Sequence, residues 1–141
     1  MSNWTWIEGA PAKKMQEQMN ERTDPRRMEI WYARLGYKNN SSVQRGARPV
    51  LVLSNDINNA LSSVVTVLPM TSKPKKLDLP SHTWIDKEKI EGFTTGALVL
   101  AEQITTIDQK QLVHRMAVCT DKEVIERIEH SMEAYLGMEK T

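Results

Sequence analysis

Two apolar runs, Val50-Leu51-Val52-Leu53 and Val64-Val65-Thr66-Val67-Leu68-Pro69-Met70, constrain the fold of this chain more than any other feature. Stretches this continuous are too apolar for strands with one wet face, which would alternate polar and apolar residues. Between them, Asn55 to Asn59 reads as a turn, because Asn and Asp side chains bond nearby backbone. The rest of the chain must therefore cover a sheet built on this pair.

Further strand signals fall on either side. Met28 to Leu35 is rich in Ile, Trp and Tyr, Ser81 to Ile85 is extended, and Ala97 to Ile104 and Val113 to Val118 read as strands. A short helical turn is expected near Gln109 to Leu112. Thr120-Asp121-Lys122-Glu123 fits a capping box with Thr120 as the cap. Behind it Val124, Ile128, Met132 and Tyr135 recur at helical spacing, and Gly137 supplies the stop. Near the N-terminus, Ala12 to Arg22 reads as a short helix with Met15 and Met19 on one face, ended by Thr23-Asp24-Pro25. Strands that are short and numerous, followed by one terminal helix, predict an α+β, mostly β fold: a small antiparallel barrel closed by that helix. Periodicity alone leaves other α+β arrangements open.

A length of 141 residues suits one domain with a real core. One cysteine, Cys119, rules out an intrachain disulfide, and no apolar run approaches membrane-spanning length. With no signal-peptide core, the cytoplasm is the expected location. Net charge is +1, yet it is unevenly distributed: residues 36 to 80 carry +4 and residues 81 to 141 carry −4. The positive charge gathers in two polar loops, Gly36 to Arg48 and Lys73 to Leu79, a distribution that favours a phosphate-binding groove.

Arg48 lies where the first loop meets the first apolar run. Pro49 follows it, restricting Arg48 to extended backbone and aiming it out of the sheet end. A guanidinium fixed on a strand is suited to bidentate grip on a phosphate. Thr71 emerges where the second apolar run meets the second basic loop, and its hydroxyl could donate to a phosphoryl oxygen. No histidine, cysteine or carboxylate cluster has metal-ligand spacing, and nothing in the chain calls for a metal or other cofactor.

The motifs Gln44-Arg45-Gly46-Ala47-Arg48-Pro49, Asn55-Asp56, Thr71-Ser72, Leu79-Pro80-Ser81-His82 and Glu102-Gln103-Ile104-Thr105-Thr106-Ile107-Asp108 together resemble the MazF/PemK family of bacterial toxins. The resemblance covers most of the chain from about residue 27, leaving residues 1–26 as an N-terminal extension and 27–141 as the toxin-like domain. It implies an SH3-like barrel of the CcdB/MazF type, assembled as a two-fold homodimer. It also implies a metal-independent endoribonuclease that cuts single-stranded mRNA to a 2′,3′-cyclic phosphate and a 5′-hydroxyl, restrained by a cognate antitoxin. The family's catalytic arginine and threonine carry over to Arg48 and Thr71, and its supporting serine to Ser42.

RNA contacts are expected from Tyr37 by stacking, and from Gln44, Arg45, Lys73, Lys75, Lys76, His82 and Gln103. For His82 a packing and hydrogen-bonding role is the stronger expectation, although paired with His114 it could offer acid–base catalysis. Val43, Arg45 and Thr105 depart from the family pattern, so the recognised bases do not carry over. An acidic, partly disordered antitoxin segment would suit the positive loops. The rival readings are a CcdB-like gyrase poison, which would leave Arg48 and Thr71 without a task, and a non-catalytic interaction module on the same architecture.

Overall fold

The second apolar run becomes the hub of the sheet. In the computed structural model, which describes residues 24–36 and 43–138, β3 (Val64–Thr71) has neighbours along both edges. One edge pairs with β2 (Ala47–Val52), placing Leu51 opposite Leu68 and Val52 opposite Val67. The other edge is shared: β6 (Thr105–Asp108) pairs with Val64 to Val67, and β5 (Ala97–Leu100) pairs with Met70 and Thr71. The order is completed by β4 (His82–Ile85) beyond β5, and by β1 (Glu29–Arg34) and β7 (Leu112–Val118) beyond β2. Every pairing is antiparallel.

Alternation along these strands divides the core in two. Leu51, Leu68 and Met70 face a cluster with Ile30, Ile85 and Val99, which is capped by Val124, Ile128 and Met132 of α2 (Lys122–Tyr135). Val50, Val52, Val65 and Val67 face the other way and meet Ala33 and Ile107. This explains why the two central runs are apolar without interruption: both of their faces are covered. The mostly β antiparallel architecture with a C-terminal helix is as expected. The ends of the strand order, β4 and β7, do not pair with each other among the described residues, so the barrel is partly open.

Several local expectations shift. Asn55 to Asn59 is more than a turn: Asn55 caps α1 (Asp56–Leu61), its side chain accepting from the Asn58 N–H at 2.8 Å. The run Ala97 to Ile104 is not one strand, because after Leu100 it tightens into a 3₁₀ turn, Ala101–Gln103. Pro49 is the third residue of β2, opposite Tyr32. The cap of α2 is Asp121, not Thr120; its carboxylate accepts from the Val124 N–H at 3.1 Å and pairs with Lys89. Gly137 does end the helix, in the left-handed region at φ 68°, where L side chains are strained. The expected helix at Ala12 to Arg22 lies outside the described residues. No helix among the described residues is long and apolar enough to cross a membrane.

Candidate active site

Arg48 and Thr71 meet in a groove of about 370 Å³ at one end of the sheet. Their convergence follows from register. Arg48 stands opposite Ala33 near the start of β2, and Thr71 stands opposite Leu98 at the end of β3, so antiparallel strands bring the two ends together. Lys73 lines the same groove from the loop after β3, while Phe93, Thr95 and Gly96 line it from the segment before β5.

The Arg48 guanidinium is half-buried and held by carbonyls. Its Nε donates to the Arg45 carbonyl at 3.0 Å, and Nη1 donates to the Met70 carbonyl at 3.4 Å. No carboxylate pairs with it among the described residues. Burial, and next the neighbouring Arg45 cation, push its pKa down from the ordinary value. An arginine does not give up its proton at neutral pH, so Arg48 is an unfavourably placed cation rather than a base. A phosphate in the groove would relieve it.

The Thr71 hydroxyl accepts from the Lys73 N–H at 3.3 Å. With that lone pair engaged, its own hydrogen remains available to a phosphoryl oxygen. Lys73, Lys75 and Lys76 are exposed, and among the described residues none of their ammonium groups is in an ion pair. They lie on the loop that leads away from Thr71.

His82 is not on the groove surface. Its side chain is 3% exposed, and its Nε2 lies 2.6 Å from Glu102 Oε2. Its Nδ1 lies 3.1 Å from the carbonyls of both Lys75 and Lys76. Carbonyls only accept, so Nδ1 carries a hydrogen, and the ring acts on the loop from behind it. His114 is likewise engaged, stacked on Tyr32 at 5.6 Å, and does not pair with His82 among the described residues. Gln103 accepts from the Gln44 N–H at 2.7 Å, and the Gln44–Arg45 backbone runs beside Arg48. Ser42 and Tyr37 lie outside the described residues.

Phe93, Gly96 and Glu102 received no site role from the sequence. A signal for the first two was visible in Gly92 and Gly96, which bracket the chain's single phenylalanine. Gly96 has a steric reason: a Cβ there would lie 2.3 Å from the Trp84 ring, so glycine lets that ring pack against the groove wall.

Comparison with known proteins gives the family of this chain. Residues 26–136 match the family model described as PemK-like, MazF-like toxin of type II toxin–antitoxin system. The chain is 35% identical over 97 residues to Endoribonuclease EndoA of Bacillus subtilis (strain 168), spanning 69% of this chain and 82% of that protein. It is 31% identical over 113 residues to Endoribonuclease MazF of Staphylococcus epidermidis, spanning 80% and 92% respectively. Among solved structures, MazF (Form-I) from Deinococcus radiodurans aligns with a TM-score of 0.68 at 20% identity, over 83% of this chain and 100% of that one. An endoribonuclease from a mycobacterial species, solved in complex with its cognate antitoxin, aligns with a TM-score of 0.65 at 22% identity, over 83% and 99%. At such identities the structural matches speak to the fold alone.

Proposed function

This chain belongs to the PemK-like, MazF-like toxins of type II toxin–antitoxin systems, and from that premise we propose that it is a metal-independent endoribonuclease acting on single-stranded RNA. The observation that carries the reading is Arg48: a half-buried cation pinned by two carbonyls, beside a second cation, with no carboxylate partner among the described residues. Such a group calls for an anion, and a phosphodiester supplies one in a groove where Thr71 can also donate.

In the proposed reaction the RNA 2′-oxygen attacks phosphorus and the P–O5′ bond breaks. The 2′-hydroxyl gives up its proton, the departing 5′-oxygen takes one, and the products are a 2′,3′-cyclic phosphate and a 5′-hydroxyl. Arg48 and Thr71 stabilise the charge that builds on the equatorial oxygens, which is the largest contribution a preorganised site makes. Lys73, Lys75 and Lys76 guide the strand toward them. A base of the strand can lie against Phe93.

A cognate antitoxin with an acidic segment fits the same positive groove. Homodimer formation fits the exposed apolar side chains Val113, Met116 and Val118 on β7, the strand at the end of the order. The cytoplasm, where mRNA is found, is the proposed location. The test of the reaction is incubation of the purified protein with single-stranded RNA in EDTA. Products with 5′-hydroxyl and cyclic phosphate ends are expected; an absolute need for a divalent ion, or 5′-phosphate products, would overturn the mechanism.

A further inference from the structure

We propose that the turn Ala101–Gln103 is the positioning element of the groove, with Glu102 setting the basic loop through His82 and Gln103 aiming Arg48 through the Gln44–Arg45 backbone. The proposal rests on the ribonuclease reading for its kinetic consequences, though not for its structural ones.

The turn is rigid. Ala101 is fully buried in the larger core cluster, beside the α2 residues Ile128 and Met132. Its N–H donates to the Ser81 carbonyl at 3.0 Å, and the turn closes through the Ile104 N–H on the Ala101 carbonyl at 3.2 Å. From this fixed base two successive side chains reach different loops. Glu102 meets His82 Nε2 at 2.6 Å, and the far side of the same ring meets the Lys75 and Lys76 carbonyls. Lys76 is held at φ 45°, a left-handed conformation that L residues avoid at a cost, so something must keep it there. The His82 Nδ1–H, shared between the Lys75 and Lys76 carbonyls, does so, and it leaves the ammonium groups of Lys75 and Lys76 facing outward.

The second Glu102 oxygen, Oε1, is buried and makes no hydrogen bond among the described residues. Glu102 thus leaves part of its own hydrogen-bonding capacity unmet while serving the ring, an arrangement poorly explained by stability alone. Gln103 reaches the other way. Its Oε1 accepts from the Gln44 N–H at 2.7 Å, and one residue on, the Arg45 carbonyl accepts from Arg48 Nε. Two adjacent residues therefore control two separate parts of the site: Glu102 controls the loop that binds the strand, and Gln103 controls the guanidinium that serves the phosphate.

This division has a kinetic signature that general destabilisation lacks. Gln103→Ala should lower kcat by about ten- to a hundredfold, the usual penalty for displacing a catalytic group by an ångström or so, with a smaller change in KM. Glu102→Ala should raise KM by roughly two- to tenfold, in line with loss of one net hydrogen bond, with a smaller change in kcat. Each should be rescued by the substitution that keeps an acceptor in place, Gln103→Glu and Glu102→Gln.

Amide hydrogen exchange on the RNA-free protein tests the same connections independently of activity. Gln103→Ala should speed exchange at the Gln44 N–H and leave the Leu79 N–H, which donates to the Lys76 carbonyl, unchanged. Glu102→Ala should do the reverse. Equal effects of both substitutions on both amides, or on kcat and KM together without rescue, would overturn the proposal. If the wild-type protein cuts no RNA, the ribonuclease reading fails, while the exchange pattern still decides whether the turn holds the two loops.

Discussion

Replacing Lys73, Lys75 and Lys76 together by glutamine should change how RNA binding responds to salt. These three ammonium groups are exposed and in no ion pair among the described residues, so each is available to neutralise a phosphate. A phosphate neutralised on a single strand releases about 0.7 of a condensed counterion, so three contacts contribute about 2 to the slope of log K against log salt. Across a fourfold rise from about 50 to 200 mM salt, a slope of about 2 corresponds to a further loss of affinity of roughly 16-fold in the unsubstituted protein. The assay is fluorescence anisotropy of a labelled single-stranded RNA, with Thr71→Ala in both proteins to suppress cleavage during titration. Slopes differing by about 2 are expected. Equal slopes would show that the loop does not touch phosphates, and the account of the second basic loop would be wrong.

Thr71→Val removes the hydroxyl at nearly constant shape and should lower kcat by about ten- to a hundredfold while melting temperature is kept; unchanged single-turnover cleavage would remove Thr71 from the mechanism. Gly96→Ala places a methyl against the Trp84 ring and should destabilise the fold by about 1–3 kcal/mol, read by urea unfolding, with a larger loss of cleavage than of stability if the groove wall shifts. Asp121→Ala should lower the melting temperature, because the carboxylate accepts from the Val124 N–H and pairs with Lys89. Those contacts hold the Asp121 pKa below its ordinary value, so its contribution is complete above that value and fades as pH falls through the lowered one. The melting difference should therefore shrink in acid, and a difference independent of pH would contradict the cap.

The central strands were legible because burial on both faces leaves a compositional mark: no other role suits Val50 to Leu53 or Val64 to Met70. The terminal helix was legible for a similar reason, its buried Val124, Ile128 and Met132 falling at helical spacing. Its cap was misplaced by one residue because Thr120 and Asp121 are both competent acceptors, and backbone direction decides between them. The break after Leu100 was invisible for the opposite reason, since Ala101-Glu102-Gln103 holds no glycine, proline, asparagine or aspartate to mark a turn. Arg48 and Thr71 could be singled out because each marks the boundary between an apolar run and a basic loop. The link from Glu102 through His82 to the Lys75 and Lys76 carbonyls could not, because it joins residues distant in sequence through two backbone oxygens that carry no residue identity. Phe93 was missed for want of a partner in sequence: its relation to Arg48 exists only once β5 pairs with the end of β3.

The central claim is that a half-buried guanidinium at position 48 stabilises the scissile phosphate, and single-turnover cleavage by Arg48→Ala tests it most directly. The comparison is made in EDTA, on one single-stranded RNA that the wild-type protein cuts, with matched melting temperatures. Loss of one preorganised charged donor should slow cleavage by at least about a hundredfold without unfolding the protein. Cleavage by Arg48→Ala at the wild-type rate would contradict the account.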